Sequence, residues 1–98
     1  MNIKDIRLIS TSVCKMFDVK QLDVFGSVAR GTAKESSDID LLVEFRNPEV
    51  HPAKRFFGLL HQFEDKLHCK VDLLTLRSIR NPYFRKRILK ERTTIYEG

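Results

Sequence analysis

The sequence predicts an α/β (α+β) chain: a small mixed β-sheet with helices mainly on one face. Three observations lead there. Strand-like apolar runs, of which Ile39 to Phe45 is the most pronounced, alternate with amphipathic segments at helical spacing. The runs are short and are interrupted by Gly, Pro and Asp-containing breaks. The 98 residues, 42% of them hydrophobic, supply one modest core, so a single domain is expected over residues 1–98.

Residues 3 to 17 carry Ile6, Ile9, Val13 and Met16-Phe17 on one helical stripe, with Lys4, Asp5 and Lys15 between them. Asp18-Val19-Lys20 breaks this helix, and Gln21 to Phe25 is expected as a short strand with Leu22 and Val24 on one face and Asp23 toward solvent. A short helix from the Gly26 turn to about Arg30 ends at Gly31, a suitable C-terminal stop. Thr32 to Ser37 reads as a polar loop. The next strand, Ile39 to Phe45, is apolar enough at Leu41-Leu42-Val43 to be buried on both faces.

A helix starting near Pro52 presents Phe56, Leu60, Phe63 and Leu67. His61 and His68 on it lack partners and are expected at the surface. Lys70 to Leu76 is the third strand and carries Asp72. Asn81-Pro82 caps a last helix, with Tyr83, Phe84, Ile88 and Leu89 expected to face the core and Arg85, Lys86, Arg87 and Lys90 the solvent. Thr93 to Tyr96 adds a final short strand.

The net charge of +5 favours polyanionic ligands such as nucleotides or RNA, although a solvated basic face gives the same balance. Arg77 to Arg92 alone holds seven basic residues and one acid. Cys14 and Cys69 have neither metal nor redox spacing and are expected in or near the core. With no signal peptide and no long apolar run, the expected setting is the reducing cytoplasm and not a membrane.

The chemistry concentrates in FGSVARGTAKESSDIDLLVE, residues 25 to 44. Gly26 permits a sharp turn and close approach of a ligand to the backbone. Ser27 and Val28 then offer amide N–H groups at a helix start, which suits an anion. Ten residues later Asp38 and Asp40 stand two apart, so on a strand both carboxylates project from one face. Paired carboxylates repel unless a cation lies between them, and a hard cation such as Mg²⁺ prefers such oxygens and shares them with phosphates. A phosphate-binding turn beside a carboxylate pair points to nucleotide chemistry. Arg30 either reaches a leaving pyrophosphate or pairs with a surface acid. Asp72 is either a strand-edge residue facing water or a member of the acidic group.

Gly-Ser, a ten-residue spacer and Asp-x-Asp resemble the signature of the DNA polymerase β-type nucleotidyltransferases. GSVARG followed by SSDIDLLVEF is similar, more closely, to the minimal nucleotidyltransferase (MNT) antitoxins that act beside HEPN-domain partners. The likeness runs from the helix before Leu22 to Ile95-Tyr96 and departs at Val28, where many relatives carry a basic residue. It implies the small nucleotidyltransferase fold and Gly26, Ser27 and Arg30 on the triphosphate of ATP. It implies two Mg²⁺ ions on Asp38 and Asp40, with Asp72 as the third acid. It also implies transfer of AMP to a tyrosine of a HEPN ribonuclease toxin, in a hetero-oligomer. Two further readings stay open: an antitoxin that neutralises by binding alone, and nucleotidyl transfer to RNA or a small molecule.

Overall fold

A computed structural model describes residues 2–34 and 36–98. The elements follow in the order α1 (Ile3–Met16), β1 (Val19–Phe25), α2 (Gly26–Arg30), β2 (Ile39–Phe45), α3 (Pro52–Leu67), β3 (Val71–Leu74), α4 (Pro82–Glu91) and β4 (Thr93–Glu97), with a 3-10 turn at Leu76–Ser78. The strands form one sheet in the order β3-β2-β1-β4. β1 lies antiparallel to both β2 and β4, whereas β2 and β3 are parallel and joined across α3. The mixed sheet is the one expected, and within the expected loop 32–37, Glu35 lies outside the described residues.

Strand alternation makes the two faces of the sheet different. Ile39, Leu41, Val43 and Phe45 of β2 and Val71 and Leu73 of β3 join Ile6, Val13, Leu59, Phe63 and Leu67 in one apolar core. Those helix residues come from α1 and α3, which therefore cover this face. The intervening residues point the other way, where Phe25 and Leu42 form a smaller cluster with Ile79 and Ile88. Burial lifts the Cys14 thiol to about 12, as befits a core side chain. Cys69 is half-buried, and His61 and His68 are exposed as expected. Among the described residues, no helix is long and apolar enough to cross a membrane.

Local chemistry accounts for the ends of the elements. The Asn2 side chain accepts the Asp5 N–H at 3.0 Å and caps α1. Asn81 does the same for the Tyr83 and Phe84 amides, with Pro82 opening α4. β3 stops at Leu74, earlier than expected, because Thr75 and Ser78 exchange side chain–backbone hydrogen bonds that close a 3-10 turn. β1 begins two residues before the expected Gln21, where Val19 pairs with Phe45.

Two expectations about side-chain direction are corrected. On α4 only Ile88 is buried; Tyr83 is 84% exposed, Phe84 43% and Leu89 37%. Ile88 is the residue by which α4 joins the cluster of Phe25, Leu42 and Ile79, so only that flank reaches apolar partners. Asp23, expected in solvent, is 2% exposed. It lies on an interior strand, and its carboxylate accepts from Thr94 Oγ1 at 2.7 Å, Gln21 Nε2 at 3.0 Å and Arg92 Nη1 at 3.3 Å. A buried carboxylate with this set of donors is a structural charge.

Arg55, at the start of α3, spends all five N–H donors on backbone carbonyls. Nε reaches Phe17, Nη1 reaches Asn47 and Val50, and Nη2 reaches Asp18 and Arg46, at 2.7–3.1 Å. Its guanidinium also lies 4.6 Å from the centre of the Phe45 ring. This one side chain ties the β2–α3 loop, with left-handed Asn47 and His51, to the α1–β1 turn. Arg55→Lys, which keeps the charge and loses the fork, is expected to cost about 2 kcal/mol. Chemical denaturation measures this, and an unchanged midpoint would refute the role.

Candidate active site

The site forms where β1 ends. The chain leaves Phe25 and turns at Gly26 with φ +70°. Phe25 is the register partner of Asp40 on β2, which brings the turn against that carboxylate. A Cβ at position 26 would run into Asp40 Oδ2, so the position needs glycine both for its dihedral and for its space. As the opening residues of α2, Ser27 and Val28 have amide N–H groups with no acceptor inside the helix. Gly31, also left-handed, closes α2, and the Thr32 N–H returns to the Ser27 carbonyl at 2.9 Å.

The acids meet across the parallel strand pair. Asp40 and Asp72 are register partners on β2 and β3 and lie on the face that α1 and α3 leave free. Their carboxyl groups are close enough to act on each other. Asp38, two residues before Asp40, is half-buried and close enough to act on it by charge. Burial chiefly, then the Asp72 and Asp38 charges, push the Asp40 carboxyl from 3.8 up to about 6, with Arg30 opposing. Asp72 is exposed on an edge strand and stands in register with Asp40.

This donor set fits a hard divalent cation, which would remove the repulsion among the neighbouring carboxyl groups. Among the described residues, no three His, Cys, Asp or Glu side chains already converge tightly enough to enclose an ion. Asp40 and Asp72 are the joined pair, and Asp38 is the acid that would complete the set. Further along the same face of the sheet, a groove of about 700 Å³ is bounded by Lys20, Leu42, Glu44, Leu76, Arg77 and Arg92. It adjoins the acids but does not include them.

The structure brings together Gly26, Ser27, Asp38, Asp40 and Asp72. Arg30 has a different local partner: its Nη1 lies 3.2 and 3.3 Å from the two oxygens of Glu91. The same carboxylate accepts the Gly26 N–H at 3.0 Å. Glu91 was missed in the sequence, although a signal existed, because it is the single acid in the basic run Arg77 to Arg92.

Two outcomes follow. In the divalent-free protein Asp40 holds its proton more tightly folded than unfolded. Its contribution to stability is therefore full below about pH 4 and lost as pH rises through about 6. Asp40→Asn should be more stable than wild type at pH 8, by about 1–2 kcal/mol after solvent screening, with the difference shrinking toward pH 4. Denaturation at several pH values tests this, and a pH-independent difference would count against it. Gly26→Ala should bind nucleotide at least about tenfold more weakly, since the turn must move to clear Asp40. Titration with ATP decides that.

Comparison with known proteins agrees with this geometry. Residues 6–95 match the Nucleotidyltransferase domain family. A protein of Thermococcus cleftensis named protein adenylyltransferase MntA is 39% identical over 75 residues, 76% of this chain and 73% of that one. A solved structure provisionally named a minimal nucleotidyltransferase superposes with a TM-score of 0.69 at 33% identity, covering 95% of each chain. A complex of a tri-AMPylated HEPN toxin of Shewanella oneidensis with its MNT antitoxin shares the fold at a TM-score of 0.62 and 16% identity, covering 94% of this chain and 70% of that one. The turn at Gly26, the Asp38–Asp40 pair and the register-matched Asp72 thus belong to a chain of the nucleotidyltransferase family, and the protein is a nucleotidyltransferase.

Proposed function

We propose that this nucleotidyltransferase is an Mg²⁺-dependent antitoxin. It would transfer AMP from ATP to a tyrosine hydroxyl of a HEPN-type toxin and so neutralise it, within a cytoplasmic hetero-oligomer. The observation that carries the reading is the Asp40–Asp72 carboxyl pair, with Asp38 beside it, set against the Gly26 turn. Similarity to a protein adenylyltransferase supports AMP as the transferred group, and the shared fold of an MNT antitoxin bound to an AMPylated HEPN toxin supports the partner.

In this mechanism the turn at Gly26 and Ser27 holds the triphosphate through backbone amides and the Ser27 hydroxyl. Arg30 adds positive charge on the same side. Asp38, Asp40 and Asp72 would hold two Mg²⁺ ions, which when bound neutralise charge developing on the α-phosphate and the leaving pyrophosphate. Asp72, which is exposed, would take the proton of the incoming hydroxyl. The acceptor oxygen bonds to the α-phosphorus, the bond to the bridging oxygen breaks, and pyrophosphate departs. The face bearing the acids is open, so the acceptor must be positioned by the molecule that carries it.

A second reading has its own support. Arg85, Lys86 and Lys90 on α4, and Arg77 and Arg80 before it, are exposed and have no ion-pair partner among the described residues, and Tyr83 stands exposed on α4. Cations beside an aromatic suit single-stranded RNA, which would make an RNA end the acceptor.

One assay separates these readings. The purified chain is incubated with labelled ATP, Mg²⁺ and either the cognate HEPN protein or RNA. Label is expected on a partner tyrosine, seen by mass spectrometry, and lost in Asp38→Asn and Asp40→Asn. Asp72→Ala should lower turnover by on the order of 10²–10⁴ while ATP still binds. A partner left unmodified yet neutralised by the double Asp→Asn variant would establish binding alone; label on RNA would establish the second reading.

A further inference from the structure

The Glu91 carboxylate has a position that strand pairing explains. β1 and β4 pair with Asp23 opposite Thr94 and Val24 opposite Thr93. Carried two residues further, the same register sets Gly26 opposite Glu91. There the chain is still the last residue of α4. The Glu91 side chain supplies the acceptor that another strand residue would have supplied, and it takes the Gly26 N–H at 3.0 Å. Gly26 is thereby held from two sides, by Glu91 on its amide and by Asp40 where a Cβ would be.

The other contacts of Glu91 serve orientation more than stability. Arg30 lies 3.2 Å away with its side chain 43% exposed, and Arg87, one turn back on α4, lies 3.8 Å away with 67% exposed. Ion pairs this open contribute little to folding. The hydrogen bond from the Gly26 N–H to the carboxylate, at 3.0 Å, is charge-assisted and the stronger interaction. It also acts at a place where small displacements matter, because moving Gly26 moves the Ser27 and Val28 amides relative to Asp40.

We propose that Glu91 is a positioning residue for nucleotidyl transfer. It sets the Gly26-Ser27 turn against Asp40 through the Gly26 amide, and it holds the Arg30 guanidinium beside that turn. This rests on the turn being the triphosphate site.

The test compares Glu91→Ala, Glu91→Gln and Arg87→Ala in the full chain. Glu91→Ala should lose about ten- to hundredfold in kcat/KM, chiefly through a higher KM for ATP, with little change in thermal midpoint. Glu91→Gln keeps an oxygen for the Gly26 amide and should recover most of the loss; Arg87→Ala should behave as wild type. Hydrogen exchange at the amides of residues 26–30 should quicken in Glu91→Ala and return toward wild type in Glu91→Gln. Unchanged KM and unchanged exchange in Glu91→Ala would overturn the proposal. So would a Glu91→Gln variant as impaired as Glu91→Ala, since the amide acceptor would then be immaterial. A wild-type chain that binds no ATP would count against the nucleotide reading itself, and exchange at Gly26 would still decide the role of Glu91.

Discussion

The carboxylate of Asp40 is the point on which the site depends. It occupies the space beside Gly26 where any other residue would put a Cβ, and it meets Asp72 across a parallel strand pair. Burial and two neighbouring acids make its charge costly, and its carboxyl is pushed up to about 6. A protein does not ordinarily retain such a cluster for stability; the cation and phosphate of the proposed function would give the cost a use. Gly26 is required by the approach of this group.

The fold achieves this by giving the sheet two unequal faces. α1 and α3 close one face with a continuous apolar core, and β2 is anchored there by alternate residues Ile39, Leu41, Val43 and Phe45. Asp40 and Leu42 then point to the other side as a matter of strand geometry. On that side α4 buries Ile88 against Phe25, Leu42 and Ile79 and leaves the rest of the face open. The stability of one face thus frees the other for chemistry.

Polar groups on the chemical face are paired in a graded way. Asp23 is fully enclosed and bonded by Gln21, Thr94 and Arg92. Glu91 is partly enclosed and joins α4 to the Gly26 turn. Asp72 is exposed and leans on Asp40. Among the described residues, no buried side-chain nitrogen or oxygen lacks a partner.

The sequence by itself determined the helices and strands, the turn and the carboxylate pair, because each is written in neighbouring residues. Apolar periodicity marks α1, α3 and β2; Gly26 and Gly31 mark the ends of α2; and Asp38 and Asp40 mark the start of β2. Asp72 could be read only as one of two possibilities, since its meaning depends on which strand lies beside β3. Tertiary structure decided that by setting it in register with Asp40. It also reversed Asp23 from solvent to interior and Tyr83 and Leu89 from core to surface, because burial depends on what packs against a face and not on the face's own pattern. Glu91 lies 65 residues from Gly26. No local rule links them, and only the β1–β4 register brings that carboxylate to the turn.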